Sequence, residues 1–166
     1  MEPDISIPDK ILHLKKIDIF RNMPVNELAA IASITEKVIY PTGKVIFRQG
    51  DVAESLYMVI TGEIAATTDA DEQPEIFKAG DSFGGVVLLT DDVSLFSART
   101  LQETSLLMIH KREFVEIVRE YPQIALDISK RLCEYVKELW PRATNRSNTD
   151  GNSIFNGPAG IDKPGQ

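Results

Sequence analysis

Two neighbouring features of this chain have residue types and spacing that could do chemistry. The run Gly80-Asp81-Ser82-Phe83-Gly84-Gly85-Val86-Val87-Leu88-Leu89 joins a Gly-Asp turn, a Phe-Gly pair and a short apolar stretch, and Ser94 follows closely. A glycine-rich turn leading into a helix start presents backbone N–H groups on which a phosphate can settle. The chemistry on offer is therefore recognition by main-chain donors, with a nearby side chain to complete it.

Other kinds of chemistry are poorly provided for. Only His13 and His110 are available as imidazole ligands. One precedes the strand-rich region and the other ends its last strand, so the clustered histidines of a jelly-roll metal enzyme are not expected. The single cysteine, Cys133, excludes an internal disulfide and a cysteine metal cluster, and fits a reducing compartment. It stands in an apolar helical pattern and reads as buried packing rather than a reactive thiol. No serine–histidine–acid set and no phosphate-binding lysine loop stands out. The chain is not expected to be an enzyme, and no cofactor or metal is expected.

Charge narrows the partners. Lys and Arg number 18 against 25 Asp and Glu, a net charge of −7, which argues against nucleic acid as the main partner. No apolar run approaches membrane-spanning length, and Met1-Glu2-Pro3-Asp4 lacks the basic-then-apolar order of a secretion signal. A cytoplasmic protein without direct membrane insertion is expected.

The elements that must hold these residues are legible from periodicity. Residues 9–35 read as helical, with Ile11, Leu14, Ile17, Phe20, Leu28 and Ile31 at helical spacing and Pro24 suited to a first turn. Residues 36–109 change to short apolar runs broken by turn residues, among them Pro41-Thr42-Gly43, Gln49-Gly50-Asp51 and Thr61-Gly62. Many short strands at close spacing predict an antiparallel sandwich or barrel. Residues 111–140 return to a helical rhythm: Phe114, Ile117 and Val118 share a face, Tyr121-Pro122 interrupts it, and Ile124, Ile128, Leu132, Tyr135, Val136 and Leu139 continue. Pro141 is expected to end that helix, since Trp140 before it resists helical geometry. Residues 141–166 are rich in Pro, Gly, Asn, Ser and Thr, with Ile154-Phe155 as the only compact apolar pair, and read as a flexible tail.

Helices, then a jelly roll, then two helices, with Gln49-Gly50-Asp51, Gly62 and Gly80-Asp81 at tight turns, resembles the cyclic nucleotide-binding domain family. The resemblance runs from about Leu14 to Leu139. It implies a mainly β fold, an antiparallel jelly-roll barrel with N-terminal helices and two C-terminal closing helices, over a domain of residues 1–140. Residues 80–89 resemble that family's phosphate-binding cassette, which usually reads Phe-Gly-Glu-Leu-Ala-Leu with an arginine roughly nine or ten positions after the glutamate. Here Gly85 stands at the glutamate position and Ser94 at the arginine position. By family position the ligand pocket is Phe83, Gly84, Gly85, Val86, Val87, Ser94, Leu95 and Phe96.

The resemblance also implies what has been lost. In the family the glutamate holds the ribose hydroxyl and the arginine neutralises the cyclic phosphate. Gly85 and Ser94 do neither, and Asp91 and Asp92 add negative charge beside the site. Arg99 does not substitute, because strand alternation sets Ser94, Phe96 and Ala98 on one face and Arg99 on the other. Cyclic AMP and cyclic GMP are thus disfavoured ligands. The expected function is a non-catalytic regulatory or interaction module, meeting a protein partner or its own copy through Ile128, Leu132, Tyr135, Val136 and Leu139, with Trp140 at the exit. A working sensor of a cyclic nucleotide or another small ligand, with unusual pocket chemistry, is the alternative. No helix-turn-helix pattern follows the long helix, so a DNA-binding regulator is not expected.

Overall fold

Strands β3 (Ser55–Thr61) and β8 (Thr104–His110) carry the longest apolar runs of the strand region, and unbroken runs suit strands covered on both faces. They pair antiparallel, with Met58 opposite Leu107. Leu56, Met58, Leu107 and Ile109 face one way, into a core shared with the helices. Tyr57, Val59 and Leu106 face the other way, into a second core between two sheets. The period of two along each strand thus builds two hydrophobic layers from one pair of strands.

The computed structural model describes residues 5–147, and of these the side chains of Asp71, Glu72, Val86, Val87 and residues 140–147 are not described. The expected flexible tail beyond residue 147, with Ile154-Phe155, lies outside the described residues.

The remaining strands are β1 (Glu36–Tyr40), β2 (Val45–Phe47), β4 (Ile64–Thr68), β5 (Asp71–Phe77), β6 (Ser82–Phe83) and β7 (Ser97–Thr100). They form two four-stranded antiparallel sheets, ordered β1-β8-β3-β6 and β2-β7-β4-β5. The arrangement is jelly-roll-like, as expected, but the sheets do not close into a barrel. Among the described residues no ladder joins the edge strands of one sheet to those of the other, and β6 and β2, at two and three residues, are too short to extend the pairing. Pro74 lies in β5, an edge strand, where a missing N–H leaves no ladder bond unmade.

The helical stretch expected over 9–35 is three pieces: α1 (Ile7–Leu14), a 3-10 turn (Asp18–Phe20) and α2 (Val25–Ser33). Ser6 caps α1 by accepting the Asp9 amide through its hydroxyl at 3.3 Å. Pro24 forces Met23 away from helical geometry, which separates the 3-10 turn from α2. Phe20 packs beside Phe114 of α3 (Lys111–Glu120) with ring centroids 6.3 Å apart, and both rings are fully buried.

Helix α4 spans Gln123–Ser147 and corrects the expected stop at Pro141. A proline inside a helix removes one amide donor and crowds the carbonyl four residues back, a cost of about 3 kcal/mol that bends a helix without always ending it. The chain divides into two compact units, one ending at Ile128 and one starting at Ser129. Ile128 is buried and belongs to the helix-side core, so it is not available as a partner-facing residue. Leu132, Tyr135, Val136 and Leu139 are exposed. Cys133 is exposed as well, contrary to the expected buried packing, because this stretch of α4 leaves even its apolar residues uncovered.

Thr100 ties the β1–β2 turn to β7. Its side chain is fully buried, its hydroxyl donates to the Pro41 carbonyl at 2.6 Å, and it accepts the Lys44 amide at 2.8 Å. Replacing Thr100 by valine keeps the shape and strands both groups, so chemical denaturation should report a loss of about 1–3 kcal/mol. Thr100→Ser should recover most of it. A loss in Thr100→Ser with none in Thr100→Val would assign the effect to packing instead of the hydroxyl.

Candidate functional site

Two short segments converge on one end of β3. The first begins at Gly84, whose φ of 79° lies in the left-handed region; a Cβ there would stand 2.6 Å from the Ser55 carbonyl oxygen. Glycine alone lets this turn rest on β3. Beyond it, Gly85–Leu88 forms a single 3-10 turn, with Leu88 buried in the helix-side core. The expected helix start is therefore one tight turn. At Gly85 the backbone is ordinary, and a Cβ would meet only Leu56 Cδ1 at 3.5 Å.

The second segment is a backbone ladder. Gly50 donates to the Ser94 carbonyl at 2.8 Å, and Ser94 donates to the Asp51 carbonyl at 2.8 Å. Ala53 donates to the Asp92 carbonyl at 3.4 Å, and Val52 bridges Val93. The turn that starts the ladder is closed by Asp51, which accepts the Arg48 amide through its carboxylate at 2.8 Å. Ser94 is held by its backbone on both sides and is only 8% exposed. Its hydroxyl has no hydrogen-bond partner among the described residues.

Between these segments lies a cavity of about 340 Å³, within the roughly 300–1,000 Å³ of small-molecule pockets. Phe47, Tyr57 and Phe96 supply aromatic wall, with Phe47 centred 5.5 Å from Phe96 and 6.0 Å from Tyr57. Ile46, Val52, Val93 and Leu95 add apolar surface, and Gly84, Gly85, Ser55, Ser94, Thr90 and His110 add polar groups and backbone. Three carboxylate residues, Asp51, Glu54 and Asp92, contribute to the lining, and all three are exposed, which sets them at its open side. No lysine or arginine is among the described lining residues.

The polar groups of the wall are interlinked. The Ser55 hydroxyl lies 2.9 Å from His110 Nδ1. Burial holds the Tyr57 phenol above its usual range, and a hydrogen bond with Ser55 opposes that only in part.

Of the residues expected to form the pocket, Gly84, Gly85, Ser94, Leu95 and Phe96 line the cavity. Val86 and Val87 fall in the 3-10 turn, and their side chains lie outside the described residues. Phe83 does not line the cavity. It is 4% exposed and stacks on Tyr57 at 5.1 Å, inside the core between the sheets, because its position in β6 turns it inward. The residues that sequence reasoning missed come from β2, β3, the ladder and His110. The turn signal at Gln49-Gly50-Asp51 marked the bend, but only the long-range pairing with residues 92–94 brings it to the site.

The nearby cations do not line the cavity, although Lys111, Arg112 and Arg119 line a neighbouring groove that shares Glu54, Asp92 and His110 with it. Arg99 is exposed while its neighbours Ala98 and Thr100 are fully buried, as strand alternation requires. Lys111 belongs to a neighbouring groove. Its ammonium donates to the Thr90 carbonyl and to Asp91 Oδ1, and its backbone N–H donates to the Glu54 carbonyl at 2.8 Å. Among the described residues no group of three or more His, Cys, Asp and Glu could hold a metal ion, and no helix is long and apolar enough to cross a membrane.

Residues 37–121 match the profile of the family described as cyclic nucleotide-binding domain. The chain is 26% identical over 129 residues to the cyclic AMP receptor protein of Thermus thermophilus, covering 75% of this chain and 60% of that one. It is 29% identical over 106 residues to a cAMP-dependent protein kinase regulatory subunit of Pyricularia oryzae, covering 63% of this chain and 27% of that one. The N-terminal domain of a transcriptional regulator from Streptomyces coelicolor superposes with a TM-score of 0.68 at 17% identity, over 76% of this chain and 93% of that one, a likeness of fold. The chain thus spans under two thirds of the length of these curated relatives.

The Lys111 ammonium, through its hydrogen bond and its charge, holds the Asp91 carboxyl below its usual range. A carboxyl lowered in the folded state stabilises above its unfolded pKa, and that contribution is lost as pH falls through the lowered value. Hydrogen exchange at the Ser94 and Ala53 amides should therefore stay slow through the mildly acidic range and quicken only once Asp91 protonates. In Asp91→Asn the same amides should exchange faster already at neutral pH. Unchanged exchange in that variant would separate the tether from the ladder.

Proposed function

The chain belongs to the cyclic nucleotide-binding domain family, and within it we propose a cytoplasmic, non-catalytic regulatory or interaction module that does not respond to ordinary cyclic nucleotides. One observation carries this reading: the cavity at the cassette has three carboxylate residues and no described cation in its lining, with a serine at the position where the family pattern has arginine. A charge-assisted hydrogen bond contributes about 1.5–3 kcal/mol. Leaving a buried charge without its partner costs about 3–5 kcal/mol. A cyclic phosphodiester entering this cavity would lose the first and incur the second, a weakening of at least roughly a hundredfold. Main-chain N–H groups at the end of a helix return only about 0.3–1 kcal/mol, and a single 3-10 turn offers fewer of them. The exposed carboxylates at the opening add repulsion, which water screens.

The output face in this proposal is the exposed apolar stretch Leu132, Tyr135, Val136 and Leu139, read by a protein partner or a second copy. Such a patch on a solvent-facing helix is a common mark of an interaction surface.

Calorimetric titration with cyclic AMP and cyclic GMP should show no binding in the micromolar range. The double variant Gly85→Glu/Ser94→Arg should gain at least roughly a hundredfold for the same ligands. Gly85 has ordinary backbone with room for a side chain, and Ser94 already faces the cavity. Sub-micromolar binding by the parent chain would overturn the proposal in favour of a working sensor.

A further inference from the structure

We infer that this cavity is a binding site for an organic cation, a small amine carried on an aromatic or apolar body. The inference rests on the preceding reading and names the ligand class of the same site. Three independent features of the cavity converge on it.

The first is charge. Glu54 and Asp92 are exposed lining residues at the open side, shared with the neighbouring groove that Lys111, Arg112 and Arg119 also line, and neither side chain forms an ion pair with a described lysine or arginine. Asp51, the third carboxylate, has one oxygen engaged by the Arg48 amide and serves the turn as well. A metal ion is not the fitting occupant, since no described cluster could ligate one. A single organic ammonium needs fewer oxygens and keeps much of its hydration at an open mouth.

The second is the wall. Phe47, Tyr57 and Phe96 form a packed aromatic surface, and ring faces attract a cation as well as an aromatic or apolar body. Around them Val52 and Leu95 are left 74% and 72% exposed, apolar side chains at the edge of a cavity with nothing covering them. A ligand with an apolar body would bury that surface.

The third is Ser94. The residue is 8% exposed, it lines the cavity, and its hydroxyl makes no hydrogen bond to the described residues. A hydroxyl open to the cavity that can both donate and accept is suited to an amine or a neutral polar group. An anion would gain one neutral donor there and meet the carboxylates as well.

The test is a charge series on one ring system: tryptamine, indole-3-acetamide and indole-3-acetate, titrated calorimetrically into the full chain alongside cyclic AMP. Tryptamine should bind, the amide at least about tenfold more weakly, and the acid without measurable heat up to about 1 mM. Glu54→Gln and Asp92→Asn should each weaken tryptamine about tenfold with unchanged unfolding temperature, because both side chains are exposed. Ser94→Ala should weaken it without loss of stability, since no internal bond of the hydroxyl is removed. The amide matching the amine, the acid binding in that range, or silence from all three indoles would overturn the inference and leave the loss of cyclic nucleotide response standing. Sub-micromolar cyclic AMP binding would overturn the earlier reading whichever way the indoles fall.

Discussion

Everything at the site depends on Ser94 being held by its main chain. Its N–H and carbonyl are both committed to residues 50 and 51, so the residue at this position is aimed at the cavity whatever its side chain. The Gly84 turn is built in the same way, by a close backbone approach to Ser55 that requires glycine and no charged group. The architecture of the pocket is therefore main-chain work, and it does not depend on which side chains stand at residues 85 and 94. A frame assembled from backbone hydrogen bonds can keep its shape while its ligand preference changes.

This separation explains what could be read from the sequence. The apolar runs at residues 56–60 and 106–109 announced strands buried on both faces, and they are the central pair of one sheet. Arg99 could be assigned outward from alternation because its neighbours Ala98 and Thr100 fill the interior. Phe83 could not be separated from the pocket by the same logic. In a two-residue strand there is too little alternation to tell which side of the sheet a ring takes, and the aromatic cluster claimed it. The walls from Phe47, Tyr57 and His110 were not legible either, since each reaches the cavity through pairing over long sequence separations. Helix α4 misled in the other direction: local geometry at Pro141 favours a stop, yet a long helix absorbs one missing amide. Cys133 looked buried because periodicity shows which residues share a face, but not whether anything lies against that face.

The aromatic packing gives the cavity its stiffness. Phe47, Tyr57, Phe77, Phe83 and Phe96 meet with centroids between 5.1 and 6.5 Å, joining both sheets to the pocket wall. Such pairs prefer offset and tilted geometries that resist sliding. One side of the pocket is thus part of the hydrophobic core, while the opposite side is a thin ladder with apolar residues left in water.

Lys111 adds a mechanical coupling. As the first residue of α3 it grips Glu54 on one flank of the opening through its backbone and Thr90 and Asp91 on the other through its ammonium. The rim of the cavity and the origin of the helix are consequently fastened through a single residue, and the bonds that seat α3 are the same ones that span the rim.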